Sequence, residues 1–107
     1  MLTLDKIYQA SYVLKEVIRH TDLIYAPQIN PDSQIYLKPE NLQLTGSFKV
    51  RGAYYKISTL SDADRKKGLI TASAGNHAQG VAYAAKAYGV KATIVMPTST
   101  PLIKVNR

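Results

Sequence analysis

The 107-residue chain contains no cysteine, which excludes disulfide bonds and thiolate metal sites. Its two histidines, His20 and His77, are far apart in sequence, so no metal-ligand spacing is present. No apolar run approaches the roughly 20 residues that a membrane helix requires. The N-terminus lacks the basic segment and apolar core of a signal peptide. We therefore expect a cytoplasmic protein with no metal and no membrane partner.

Acidic residues are scarce: seven face fourteen lysines and arginines, which gives a net charge of +7. Such an excess attracts nucleic acids, but the basic residues are spread along the chain without interleaved aromatic residues of the base-stacking type. The one basic cluster, residues 65–67, follows Asp62 and Asp64 in a predicted short helix and indicates a solvated face. We expect no nucleic-acid partner. The charge excess also suits an anionic cofactor or substrate.

The apolar fraction of 46% and charged fraction of 20% are typical of one small globular domain. Hydrophobic periodicity predicts a first helix over residues 3–18, with one face docked on the body. Strands are predicted at residues 34–38, 69–72 and 92–96, the last buried on both faces. Helices are predicted to start at Ser47, Ser61, Gly75 and Thr100. This order predicts an α/β fold, a three-stranded parallel βαβαβ unit after an N-terminal helix.

Lys49 lies where the first predicted strand leads into a helix, and ligands of parallel sheets bind at the carboxyl ends of strands. An amine nucleophile forms a Schiff base with an aldehyde, of which pyridoxal phosphate is the biological example. This chemistry requires a neutral amine, so we expect Phe48 and Val50 to desolvate Lys49 in part. Because the chain has nine other lysines, an ordinary helix lysine is the alternative.

A second stretch joins the next predicted strand to a helix start. Free N–H groups and the positive end of a helix dipole favour an anion there, such as a carboxylate. Gly75 permits close approach of a ligand, and Asn76 carries an amide suited to a ring oxygen. His77 is a candidate general base. A plain capped helix start and a structural histidine are the alternatives. The stretch comprises Ser73, Ala74, Gly75, Asn76 and His77.

The two stretches together resemble one family. Residues 38–53, Lys-Pro-Glu-Asn-Leu-Gln-Leu-Thr-Gly-Ser-Phe-Lys-Val-Arg-Gly-Ala, resemble the cofactor-attachment motif of the serine/threonine dehydratases. These are pyridoxal-phosphate enzymes of the tryptophan synthase β fold. Residues 73–80 resemble the asparagine loop of that family, and residues 96–105 resemble the segment after the next strand. The resemblance implies that residues 1–107 are the N-terminal part of the catalytic domain, with no second domain in the chain.

The resemblance also implies roles. Lys49 holds pyridoxal 5'-phosphate as an aldimine and then acts as the base at the α-carbon of the substrate. Phe48 flanks the cofactor ring, and Asn76 bonds its phenolic oxygen. The implied reaction is α,β-elimination of L-threonine to 2-oxobutanoate and ammonia, in a full-length enzyme that is a homo-oligomer. The substrate carboxylate is implied to lie in the cradle of Ser73, Ala74, Gly75, Asn76 and His77.

Departures from the pattern separate the alternatives. Serine racemases carry a second serine, the acid/base opposite the lysine, where this chain has Ala74, so racemisation should be poor. Cysteine synthases carry different residues around their lysine. Dehydratases hold the cofactor phosphate in a later glycine-rich loop, whereas no two of the six glycines here are adjacent. We expect these 107 residues to form only a weak, non-productive aldimine. A serine dehydratase, a racemase-like enzyme and a non-catalytic binding module are the alternatives.

Overall fold

The computed structural model describes residues 1–106, which form five helices and four short strands. A 3-10 turn at Glu40–Leu42 lies between the second strand and the second helix. The mixed composition confirms the predicted α/β class. The helices are α1 (Leu4–Leu14), α2 (Lys49–Ser58), α3 (Asp62–Lys66), α4 (Asn76–Tyr88) and α5 (Leu102–Val105). The strands are β1 (Ile24–Tyr25), β2 (Tyr36–Leu37), β3 (Leu69–Ala72) and β4 (Ala92–Val95).

Within the described residues the strands form two separate sheets. Strands β3 and β4 pair in parallel, with Leu69 opposite Ala92, and α4 connects them as the sequence predicts. Strand β2 pairs antiparallel with β1 instead of joining this sheet, with Ile24 opposite Leu37. The prediction of three parallel strands is therefore wrong for its first strand, while the parallel β3–α4–β4 unit is confirmed.

A hairpin accounts for this difference. The Ala26 carbonyl accepts from the Ile29 N–H at 3.2 Å, and the Asn30 carboxamide oxygen accepts from the Asp32 N–H at 2.9 Å. These bonds turn the chain back, so that the Ala26 N–H reaches the Ile35 carbonyl at 2.9 Å. Asn30, Pro31 and Asp32 are typical turn formers, but a two-residue partner strand at Ile24–Tyr25 carries no periodic signal.

The packed centre is the interface between α2 and α4. Val50, Ala53 and Ile57 recur at helical spacing on one face of α2 and are buried. They meet a face of α4 made of small residues, which lets the two helix backbones approach closely. Gly89 ends α4 in the left-handed conformation (φ +63°). The buried residues of α4 are Ala78, Gly80, Val81, Ala84 and Ala85.

Two predictions about burial are wrong within residues 1–106. The first helix ends at Leu14, which is its one buried residue, so α1 does not dock a continuous apolar face. The β3–β4 sheet is covered on one face, whereas Ile70 and Val95 on the other are 78% and 52% exposed. The predicted burial of residues 92–96 on both faces is therefore not found.

The described residues form an extended body. Their radius of gyration is 16.4 Å, against about 13 Å expected for a compact domain of this length. The two uncovered surfaces, on α1 and on the sheet, are consistent with this shape. No helix within residues 1–106 has the length and apolar character needed to cross a membrane.

Candidate active site

Lys49 is the first residue of α2. The turn before it is tight: Gly46 has φ +71°, a conformation that suits glycine, and its N–H donates to the Gln43 carbonyl at 2.8 Å. Ser47 is buried, and its Oγ accepts from the Lys49 N–H at 3.0 Å. The predicted helix start at Ser47 is therefore two residues early, but the serine does bond the first turn as a cap would.

A cavity of about 260 Å³ opens beside Lys49 and is lined by Phe48, Lys49, Gly52, Ala53 and His77. The Lys49 Nζ lies 5.1 Å from the centroid of the Phe48 ring. Lys49 and Phe48 are both exposed, and Val50 points into the core with no exposed surface. The expectation that Phe48 and Val50 desolvate the Lys49 amine is therefore wrong for the part of the chain that the structure describes. The arrangement instead leaves the amine accessible to a ligand.

The loop from Ser73 to Gly75 lies at the carboxyl end of β3. Ser73 and Ala74 line a cavity of about 520 Å³ together with Met96 and Pro97, which follow β4. The Ser73 Oγ accepts from the Gly75 N–H at 3.3 Å. A side chain built on Gly75 would meet nothing within 4 Å, so the space in front of this backbone is open. An anionic group can approach the first turn of α4 there.

His77 is the link between the loop and the lysine, because it lines the same cavity as Lys49 and Phe48. Asn76 is exposed at the first position of α4. It lies outside the lining of the Lys49 cavity, as do Ser73, Ala74 and Gly75. The structure thus brings together three of the candidate residues and places the others around the adjacent start of α4.

Gly80 fixes the distance between these two parts of the site. A Cβ on Gly80 would lie 3.1 Å from both the Ala53 Cβ and the Lys49 carbonyl oxygen. The backbone of α4 therefore touches the backbone of α2 at Lys49 itself. A side chain at position 80 would therefore require α2 and α4 to give way at this contact, next to the lysine.

Sequence reasoning missed an ion-pair network behind Lys49. Glu40 accepts two hydrogen bonds from Arg51, from Nε at 2.9 Å and from Nη2 at 2.7 Å. The Thr21 hydroxyl donates to the same carboxylate at 2.6 Å, and the Lys38 ammonium lies 3.9 Å away. The sequence does hold a signal for this pair, because Glu40 and Arg51 lie in one motif, on either side of Lys49.

Two charged residues differ from their expected roles. Arg65, assigned to a solvated face, packs 4.7 Å from the Tyr88 ring centroid and donates to the carbonyls of Ile57 and Ser58. It therefore anchors the end of α2. His20 follows the first predicted helix, a position that favours an interaction with the helix C-terminus. It instead pairs with Asp22 at 3.0 Å, because α1 ends six residues earlier.

The Glu40 network predicts a pH dependence of stability. Hydrogen bonds from Arg51, and secondarily from Thr21, lower the pKa of Glu40 from 4.5 to about 2. The ionised carboxylate therefore stabilises the fold above about pH 4.5, and this contribution is lost as the pH falls towards 2. We expect a loss of at most about 3 kcal/mol from this group. The measurement is urea unfolding between pH 2 and 7.

A Glu40→Gln variant is the control for this prediction, since it lacks the titrating group but keeps the side-chain volume. The free energy of unfolding of the parent chain should exceed that of the variant most above pH 5. The difference should shrink as the pH falls through the range from 4.5 to 2. A difference that stays constant over this range would contradict the assignment.

Comparison with known proteins decides the family. The model of a family described as "Pyridoxal-phosphate dependent enzyme" matches residues 14–107. The chain belongs to this pyridoxal-phosphate dependent enzyme family. The resemblance of the lysine motif and the asparagine loop is thereby confirmed, and the cofactor of the family is pyridoxal phosphate.

Similar members of the pyridoxal-phosphate family include dehydratases and a racemase. The chain is 53% identical to an L-threonine ammonia-lyase of Thermotoga maritima, over 100% of this chain and 27% of that protein. Its fold matches the serine racemase of Dictyostelium discoideum with a TM-score of 0.92 at 39% identity, over 98% of this chain and 35% of that one. It matches the processed threonine deaminase isoform 2 of Solanum lycopersicum with a TM-score of 0.82 at 40% identity, over 98% of this chain and 31% of that one.

The chain spans about a third or less of the length of these relatives and carries residues that fit part of the family cofactor's site. An accessible primary amine at Lys49, with a flat ring beside it, suits a covalently bound aldehyde with an aromatic ring. Open space in front of Gly75, at the N-terminus of α4, suits an anion. The residues present therefore fit covalent attachment of the cofactor and binding of the substrate carboxylate. The six separated glycines offer no glycine-rich loop for the phosphate.

Proposed function

We propose that the chain is the N-terminal part of the catalytic domain of a pyridoxal-phosphate-dependent L-threonine dehydratase, which converts L-threonine to 2-oxobutanoate and ammonia. The observation that carries the proposal is the position of Lys49, at the start of α2 and in one cavity with Phe48 and His77. The 53% identity to a threonine ammonia-lyase supports the choice of reaction. We also propose a cytoplasmic location, with which the lack of cysteine in these residues is compatible.

Lys49, Phe48 and Asn76 have different roles in the proposed reaction. Pyridoxal phosphate, when bound, supplies the electron sink that makes the α-proton of an amino acid removable. Lys49 would hold the cofactor through Nζ and, when displaced by the substrate amine, remove the α-proton at the same nitrogen. Phe48 would flank the ring, and Asn76 would donate a hydrogen bond to the phenolic oxygen of the ring.

The loop before α4 would bind the substrate carboxylate. N–H groups in the first turn of a helix have no intrahelical partner and lie at the positive end of the helix dipole. Those of Asn76 and His77 are in this turn of the 13-residue α4. The Ser73 side chain shapes the approach, because it bonds the Gly75 N–H. The remaining residues of this proposed cradle are Ala74 and Gly75.

Ala74 favours elimination over racemisation. Racemisation requires a proton donor on the side of the α-carbon opposite the lysine, and the methyl side chain of Ala74 holds no exchangeable proton. The similarity to a serine racemase is therefore a similarity of backbone fold. The acid/base side chain that racemisation would need is missing at position 74. We therefore expect elimination from threonine and little racemisation.

A homo-oligomer is the assembly we propose for the full-length enzyme. Large apolar side chains are exposed on α1, where Leu4 and Tyr12 are examples, and on the open face of the β3–β4 sheet. Exposed apolar surface of this kind marks contact regions. The proposed small-molecule partner is the amino-acid substrate.

Chemical trapping tests the cofactor part of the proposal. The chain is incubated with pyridoxal phosphate and reduced with borohydride, and the labelled lysines are located by mass spectrometry. We expect pyridoxyl label on Lys49 at several times the level on Lys56, an exposed lysine in the last turn of the same helix. Label spread evenly over the ten lysines would contradict the proposal.

A further inference from the structure

The Glu40–Arg51 pair joins the two ends of the segment that carries Lys49. Glu40 lies in the 3-10 turn at the beginning of this segment, and Arg51 lies in the first turn of α2. The pair makes two parallel hydrogen bonds, the most directional form of an ion pair. Its side chains are 15% and 29% exposed, so solvent competes little with it.

Arg51 cannot reach the ligand side of Lys49. Two residues along an α-helix correspond to a rotation of about 200°, so the two side chains leave α2 on opposite sides. In agreement, Lys49 lines the cavity with His77, whereas Arg51 lines a different cavity with Arg19 and Lys38. We therefore expect Arg51 to act on the lysine through the backbone of α2 and not by contact with a ligand.

The segment between Glu40 and Arg51 is also held from the preceding loop. Gln43 is almost fully buried, and its side chain bonds both the N–H and the carbonyl of Arg19 at 2.8 Å. Thr21 donates to Glu40, and its own carbonyl accepts from the Lys38 ammonium at 2.6 Å. Residues 19–21 thus form a fixed support to which the start of the lysine segment is bonded.

We propose that Glu40 and Arg51 are positioning residues: their ion pair fixes the first turn of α2 and thereby directs Lys49 into the cavity that it shares with His77. This inference rests on the proposed function for its chemical consequence. The geometric part, a first turn of α2 held by the ion pair, stands without the cofactor.

The test compares Arg51→Met with Arg65→Met. Arg65 anchors the other end of α2 through the carbonyls of Ile57 and Ser58, so its removal destabilises the same helix without touching the first turn. Two quantities are measured in the 107-residue chain. The first is amide hydrogen exchange of residues 44–50, without cofactor. The second is the ratio of pyridoxyl label on Lys49 to that on Lys56.

Arg51→Met is expected to speed exchange at residues 44–50 by about tenfold, because without the ion pair the first turn of α2 opens more often. It is expected to lower the label ratio by about tenfold, because small displacements of a reacting group have effects of this size or larger. Arg65→Met should leave both quantities within about twofold of the parent chain. Arg51→Lys should give intermediate values, since an ammonium keeps the charge but not the paired geometry. If Arg51→Met does not fold, Glu40→Gln replaces it with the same expected result.

Equal changes in the Arg51 and Arg65 variants, or none in the Arg51 variant, would overturn the positioning role. Failure of the proposed function has a different signature, since the parent chain itself would then show no preference for Lys49 over Lys56. In that case the hydrogen-exchange comparison still decides whether the ion pair fixes the first turn of α2.

Discussion

Under the proposed function, replacing Lys49 with arginine should abolish the formation of 2-oxobutanoate from threonine by the full-length enzyme. Arginine keeps the positive charge and most of the length, but its guanidinium stays protonated and is neither a nucleophile nor a base. Loss of a positioned base alone costs about 10²–10⁴-fold in rate, and loss of the attachment point adds to it. We therefore expect a fall of at least about 10³-fold, measured by detection of the 2-oxo acid.

Lys56→Arg is the matched control for this variant. Lys56 lies seven residues further along α2, is exposed, and receives the same chemical change. It should keep activity within about twofold of the parent, since surface substitutions rarely alter stability by more than about 0.5 kcal/mol. A Lys49→Arg protein that retained a tenth of the activity would exclude Lys49 as the catalytic base. Absence of activity in the parent would instead contradict the proposed function.

Replacing Gly80 with valine is expected to separate α2 from α4. A single Cβ at position 80 already lies at 3.1 Å from Ala53 and from the Lys49 carbonyl, and the branched side chain of valine adds two more carbons there. Forced overpacking of a core costs typically about 1–3 kcal/mol, and here backbone as well as side chain must move. We expect a destabilisation of about 3 kcal/mol in urea unfolding. The label on Lys49 should also fall, because the lysine moves with its carbonyl.

The control is Ala82→Val, two residues along α4 at an exposed position. It introduces the same β-branched residue, whose cost in a helix is below about 1 kcal/mol. Both stability and labelling should therefore stay close to those of the parent chain. If Gly80→Val were tolerated as well as Ala82→Val, the close contact between α2 and α4 would not be what sets the position of Lys49.

Local features of the fold were predictable from the sequence. The extent of α4 follows from the alanine-rich face that ends at Gly89, and β3 follows from the short apolar run after Gly68. Each signal lies within a few residues of the element that it defines. For the same reason the start of α2 at Lys49 was predicted to within two residues.

Features that depend on distant partners were not predictable. The sequence of β2 resembles that of a parallel strand, yet β2 pairs antiparallel with β1, which begins twelve residues earlier. The bonds between Gln43 and Arg19 and between Glu40 and Thr21 join residues about twenty positions apart, where no periodic pattern connects them. The sequence predicted Lys49 and the Ser73–His77 loop at one end of a shared sheet, but β2 does not join the β3–β4 sheet. Lys49 and His77 share a cavity because α2 packs on α4.

The packing of α2 on α4 has a consequence for biosynthesis. Both helices lie within residues 49–88, and β4 ends at residue 95. At a rate of roughly 5–20 residues per second this stretch is synthesised within about ten seconds. Contacts at such short sequence separation form quickly, since little loop entropy opposes them. We therefore expect the lysine and the start of α4 to acquire their relative position early in folding.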